Sequence, residues 1–114
     1  MQDQPIIQQW IDYAQKLAAQ GRLDEAFQAL QKVVEEAPQD LPVRAALIEL
    51  ALRKKDYQTV VAQHMDCAEL LWRAGDRDAS MGRYEKVLRL EEVVQPGYPQ
   101  VVAEVRRLVA EVKA

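Results

Sequence analysis

Apolar residues along this chain return every three or four positions in six stretches, the period of helices that bury one face. The first starts at Asp3 and Pro5, an acidic cap and a first-turn proline whose missing N–H costs little, and stops at Gly21 after Ala18-Ala19-Gln20. The second carries Leu23, Ala26, Phe27, Leu30, Val33 and Val34 and meets Pro38, whose ring cannot continue a helix. Asp40 and Pro42 open the third, which runs through Leu47, Leu50 and Ala51 to Arg53-Lys54-Lys55, cations suited to a helix's carbonyl end. Asp56 caps the fourth, with Tyr57, Val60, Val61, His64, Ala68, Leu71 and Trp72 on its apolar face and Gly75 at its stop. Asp76 caps the fifth, whose apolar residues are Met81, Tyr84, Val87, Leu88 and Leu90 before a break at Pro96-Gly97. The sixth starts at Pro99 and spaces Val102, Val105, Val109 and Val112 at nearly heptad intervals, with Glu104, Arg106, Arg107 and Glu111 elsewhere. Links of only a few residues make consecutive helices pack antiparallel, as hairpins.

Composition narrows the chemistry more than the fold. With 114 residues, 49% apolar and 29% charged, the chain has the make-up of one soluble globular domain, and 4 Gly with 5 Pro are too few turn residues for an all-β fold. All-α is the expected class. One Cys (Cys67), one His (His64), one Ser (Ser80), one Thr (Thr59) and no Asn exclude an intrachain disulfide and leave a Cys/His zinc site short of ligands. A Ser-His-Asp triad would have to use Ser80 and His64. The polar, acidic start Met1-Gln2-Asp3-Gln4 and the lack of a long apolar run point to a cytoplasmic protein without membrane insertion. A net charge of −3 gives no electrostatic case for nucleic acid, and Arg53-Lys54-Lys55 reads as a solvated helix end rather than a phosphate contact. No metal and no cofactor is expected.

One hairpin carries a signature. Trp10-x-x-Tyr13-Ala14-x-x-Leu17, then Gly21, then Ala26-x-x-x-Leu30, then Pro38 resembles the tetratricopeptide repeat, a 34-residue helix-turn-helix with that order of large, small and proline positions. Small residues such as Ala14 and Ala26 belong where two helices approach most closely, with larger ones filling the space around them. The resemblance is closest over residues 7–40. Thirty-four residues on, Arg44-x-x-Leu47-Ile48-x-x-Ala51, Asp56-Tyr57 and Val60-x-x-x-His64 keep the frame with fewer signature residues, over 41–74. His64-x-x-Cys67-Ala68-x-x-Leu71 followed by Gly75-Asp76 also looks like the opening helix of a repeat, so the fourth helix reads either as closing the second repeat or as opening a third. Helix parity favours the former, with a third hairpin over 76–113 that is repeat-like in shape but not in signature. The resemblance implies one domain, a short right-handed solenoid of stacked antiparallel hairpins with about six helices and the last one capping its end.

What the resemblance implies about work is binding rather than catalysis: a scaffold that holds a peptide or partner protein on its concave surface. The positions lining that groove are Gln8, Ile11, Asp12, Gln15 and Ala19 of the first helix and Ala45, Glu49, Leu52 and Arg53 of the third. One subclass of the family grips a C-terminal carboxylate with Lys and Asn where this chain has Ile11 and Gln15, and Glu49 would repel such a group further. The groove therefore suits a helix or extended segment recognised by shape more than by charge.

The remaining candidates have bland readings beside the chemical ones. His64 and Cys67, three apart on one helix, could pair as base and nucleophile, but no third orienting group accompanies them and both sit on or beside an apolar stripe. Asp24, Asp40, Asp56, Asp76 and Asp78 stand at helix starts, where capping and the helix dipole explain them without a metal. Trp10 occupies the repeat's large packing position and is expected in the core, while Trp72 falls in a last turn open to solvent. The seam Val102, Val105, Val109 and Val112 either covers the end of the array or forms a homodimer contact between helices. The second functional reading is accordingly a self-associating or regulatory domain, part of a longer sensor or transcriptional regulator.

Overall fold

Three of the helices end in the same hydrogen-bonded turn, and it fixes the spacing of everything else. Gly21 N–H donates to Ala18 O at 3.0 Å and Arg22 N–H to Leu17 O at 2.9 Å; Lys55 and Asp56 repeat the pair on Leu52 O (3.0 Å) and Ala51 O (2.8 Å), and Gly75 and Asp76 on Trp72 O (3.0 Å) and Leu71 O (2.9 Å). This Schellman geometry satisfies carbonyls the helix leaves open and needs a left-handed residue at its pivot. Gly21 (φ 80°) and Gly75 (φ 88°) supply it freely, while Lys55 does so at φ 59° against the steric cost of its Cβ. Replacing Lys55 by Gly should therefore stabilise the protein by about 0.5–1 kcal/mol once glycine's greater freedom in the unfolded chain is subtracted. A thermal melt followed by circular dichroism should move up by a few degrees; an unchanged or lower Tm would mean the lysine side chain contributes more than its backbone costs.

The computed structural model describes the backbone of residues 3–94 and 99–113 and the side chains of residues 6–90 and 103–111. Six helices follow in order, α1 (Asp3–Ala19), α2 (Leu23–Glu36), α3 (Leu41–Arg53), α4 (Tyr57–Arg73), α5 (Arg77–Val94) and α6 (Pro99–Lys113), with no strand among the described residues. The break expected at Pro96-Gly97 lies outside them. Acidic caps act as expected: Val43 N–H donates to Asp40 Oδ1 at 2.9 Å, Thr59 N–H to Asp56 Oδ1 at 3.2 Å, and Ala79 N–H to Asp76 Oδ1 at 3.1 Å. Asp24 and Asp78 lie in the first turns of α2 and α5, where a negative charge meets the positive end of the helix dipole.

The chain groups into two compact units, Met1–Val60 and Val61–Ala114, with the division inside α4. In the first, Ala14 and Ala26 have no exposed surface, so α1 and α2 close on each other through small side chains, and Leu17, Phe27, Leu30, Val43 and Leu47 fill the space around them. At the far end of α3, Lys54 Nζ lies 2.9 Å from Asp24 Oδ1 and 4.2 Å above the Phe27 ring, tying α3 to the start of α2. In the second unit Val61, Val87 and Val105 form a buried cluster with Met65, Tyr84, Leu88, Leu90 and Val109 packed against it. Ser80 is fully buried and its hydroxyl donates to Ala68 O at 2.7 Å, locking the start of α5 onto α4. The valine seam of α6 is thus partly used inside the chain: Val105 is completely buried, and Val109 is partly buried against the same cluster. The side chains of Val102 and Val112 lie outside the described residues.

Candidate functional site

The helices α1 and α3 face each other across a small pocket that holds part of the expected stripe. Gln15, Glu49 and Arg53 line one small pocket of about 60 Å³ together with Ala14 and Ala18 of α1, Leu30 of α2, and Ala46 and Leu50 of α3. Of the expected groove residues, Gln15, Glu49 and Arg53 line this pocket, and Ala46 lines it beside the expected Ala45. Helical side chains lean toward the N-terminus, so a given spot on the surface is covered by the residue about one position C-terminal to it. The i, i+4 spacing from Ala14 is the signal that could have placed Ala18, and the i−3 and i+4 neighbours of Glu49 are Ala46 and Arg53.

The other expected residues lie outside the pocket. Ile11 is only 6% exposed, so it packs within the first unit rather than offering an open contact. Gln8 and Asp12 are exposed and bonded to each other, Gln8 Nε2 donating to Asp12 Oδ1 at 3.0 Å along α1. Ala19, Ala45 and Leu52 are exposed without lining the pocket. Arg53 reaches across the groove: its Nη2 donates to Ala18 O at 3.4 Å, a long bond that joins α3 to the last turn of α1. At 60 Å³ the pocket holds about two waters' worth of volume, well below the ~300 Å³ or more of a small-molecule site. Glu49 and Arg53 give its lining one acid and one guanidinium.

The His64–Cys67 pair stays in the interior. Cys67 has no exposed surface and His64 is 6% exposed, so neither offers a nucleophile or base to a substrate. Burial, reinforced by the cations Arg83 and Lys86, pushes His64 down to about 4, and the ring is neutral at pH 7. Arg83 Nη1 lies 3.3 Å from His64 Nδ1, which then serves as acceptor. Among the described residues no group of three or more His, Cys, Asp or Glu side chains is placed to hold a metal ion.

Of the two tryptophans, Trp10 departs from expectation and Trp72 does not. Trp10 is 44% exposed rather than in the core, edge-on to the exposed Tyr13 at 5.7 Å between ring centres. Trp72 is also exposed, and the Arg77 guanidinium stacks 4.8 Å from its ring centre. No described helix is long and apolar enough to cross a membrane.

Comparison with known proteins returns one family. Residues 17–62, from the end of α1 through α2 and α3 into α4, match the family model described as tetratricopeptide repeat. No curated protein and no solved structure matches the chain significantly. The match covers the Schellman turns at Gly21 and Lys55, the small residue Ala26 and the α3 side of the groove. The all-α chain carries tetratricopeptide-repeat sequence over residues 17–62, an architecture whose general use is as a scaffold for binding other proteins.

Proposed function

We propose that this is a non-enzymatic protein-interaction module that holds a helical or extended segment of a partner protein in the groove between α1 and α3. The observation that carries the reading is the convergence of Gln15, Glu49 and Arg53 on a side-chain-sized pocket floored by Leu30 and Leu50. The half-buried Ala46 leaves room at the pocket for a partner's side chain, while the opposed charges of Glu49 and Arg53 set its orientation. In the second unit, His64, Cys67, Ala68, Leu71, Gly75 and Ser80 stand 54 residues after Trp10, Tyr13, Ala14, Leu17, Gly21 and Ala26, which supports reading α4 and α5 as a hairpin in the register of α1 and α2.

The test is affinity capture from the source organism with mass spectrometry, run in parallel with the double variant Gln15→Arg/Glu49→Arg. Both positions are exposed, so the fold should stand. A partner retained by the parent chain and lost by at least about tenfold in the variant supports the groove, since truncating or reversing central contacts costs of order 1–2 kcal/mol or more. Capture that is unchanged in the variant would move the binding surface elsewhere.

A further inference from the structure

His64 is the chain's one histidine, and it lies inside the second unit, where the Ser80 hydroxyl on Ala68 O and the contact of Val61 with Val87 hold α5 on α4. One turn before and after it on α4 stand Val60, Val61, Cys67 and Ala68, all buried and uncharged, so its own helix offers the ring no counter-charge. From α5, Arg83 Nη1 lies 3.3 Å from the ring's Nδ1, and Lys86 adds a second positive charge. Among the described residues, the charges that act on the ring are these two cations. Asp66 and Glu85 each stand two positions from His64 or Arg83, on another side of their helices, and the charged residues Glu104, Arg106, Arg107 and Glu111 of α6 are exposed.

A proton on His64 therefore sets three positive charges together in a joint whose other contacts are neutral, and uncompensated charge in a closed interior is costly. The first unit holds no counterpart. Leu30 stands 34 residues before His64 and fills the corresponding place in α2 with a side chain that does not titrate. No histidine lies in Met1–Val60, and free carboxylates take up protons only near pH 4, so between pH 7 and pH 5 the protonation that matters falls on the second unit.

We propose that His64 makes α4 and α5 an acid-operated joint: on mild acidification the second unit opens between these helices while the first unit and its groove stay folded. Opening uncovers Val61, Val87 and Val105, apolar surface that the closed form hides. The direction follows from where the proton binds. In the open form the ring meets water and accepts it near the ordinary 6.5, whereas the closed form holds it down to about 4, so the open form gains on the closed one as the pH falls through that window.

Amide hydrogen exchange on the full chain, read by NMR as protection factors at pH 7 and pH 5, tests this. Protection in α5 should fall about twentyfold while α1, α2 and α3 change by less than about threefold, and in His64→Gln the α5 loss should disappear. An equal loss in both units means that the protein opens as a whole, and an equal α5 loss in His64→Gln means that other groups drive it. Either result overturns the proposal, as does an α5 whose protection holds at pH 5. Circular dichroism at pH 7 checks that the variant folds. If it does not, the imidazole itself carries the test, because a single histidine gives a single Hε1 resonance. In the parent its midpoint should lie below about 6, and an ordinary midpoint near 6.5 in the folded chain overturns the proposal.

Discussion

Acidification from pH 7 to pH 4.5 is expected to cost the folded protein about 2–3 kcal/mol through His64. In the unfolded chain the imidazole binds a proton near its ordinary 6.5, whereas in the native state burial foremost, then Arg83 and Lys86, hold it down to about 4. Between those values the unfolded state takes up a proton that the native state refuses. Stability is therefore fully present above about 6.5, is lost as the pH falls toward 4, and changes no further through this residue below that. Against a total of ~5–15 kcal/mol for a domain, the loss is large. Urea unfolding at a series of pH values measures it, and the difference between the parent and His64→Gln isolates it from the carboxylates, which also titrate at the acid end. The variant keeps an acceptor for Arg83 and removes the titration, so its curve should lie flatter between pH 6.5 and 4. Parallel curves would show that His64 titrates alike in both states.

This interior histidine also shows where the sequence was legible. Its place on the apolar stripe of α4 could be read from spacing alone, and so could the pivots Gly21 and Gly75 and the caps Asp40, Asp56 and Asp76, because each depends on residues within one turn. Lys55 was read as a cation at a helix end although it stands 34 residues after Gly21 and performs the same left-handed turn; composition hid what register would have shown. Burial of Arg44 and exposure of Trp10 are the same lesson from opposite sides. The two occupy one repeat position, yet one is exposed and the other buried, so burial there follows the surrounding packing and not the repeat position alone. In the groove, Gln15, Glu49 and Arg53 were legible from the repeat register, while the buried residues Ala14, Ala18, Leu30 and Leu50 that line the same pocket depend on how three helices meet, which spacing along one helix does not reveal.

Truncation of Leu30 joins the core of the first unit to its groove. The side chain is 1% exposed and lines the groove pocket beside Ala14 and Ala18 of α1 and Ala46 and Leu50 of α3, so one residue of α2 supports both neighbouring helices. Leu30→Ala removes three carbons from that junction and should destabilise the protein by about 3 kcal/mol, the lost transfer energy plus the penalty of the void. Leu47→Ala provides the comparison, since Leu47 is equally buried and does not line the pocket. A void beneath Leu47 has no such opening and stays unfilled, whereas the space left by Leu30 merges with the 60 Å³ pocket above it and admits water. Leu47→Ala should therefore cost as much as Leu30→Ala or more, measured as the shift in urea midpoint at constant slope. The order reverses for binding: at temperatures where both variants are folded, Leu30→Ala should weaken the groove partner because the floor has dropped away, and Leu47→Ala should not. A Leu30→Ala cost below ~1 kcal/mol would mean the surrounding helices collapse onto the site, and the pocket would then owe its shape to Leu50 and the alanines instead of to Leu30.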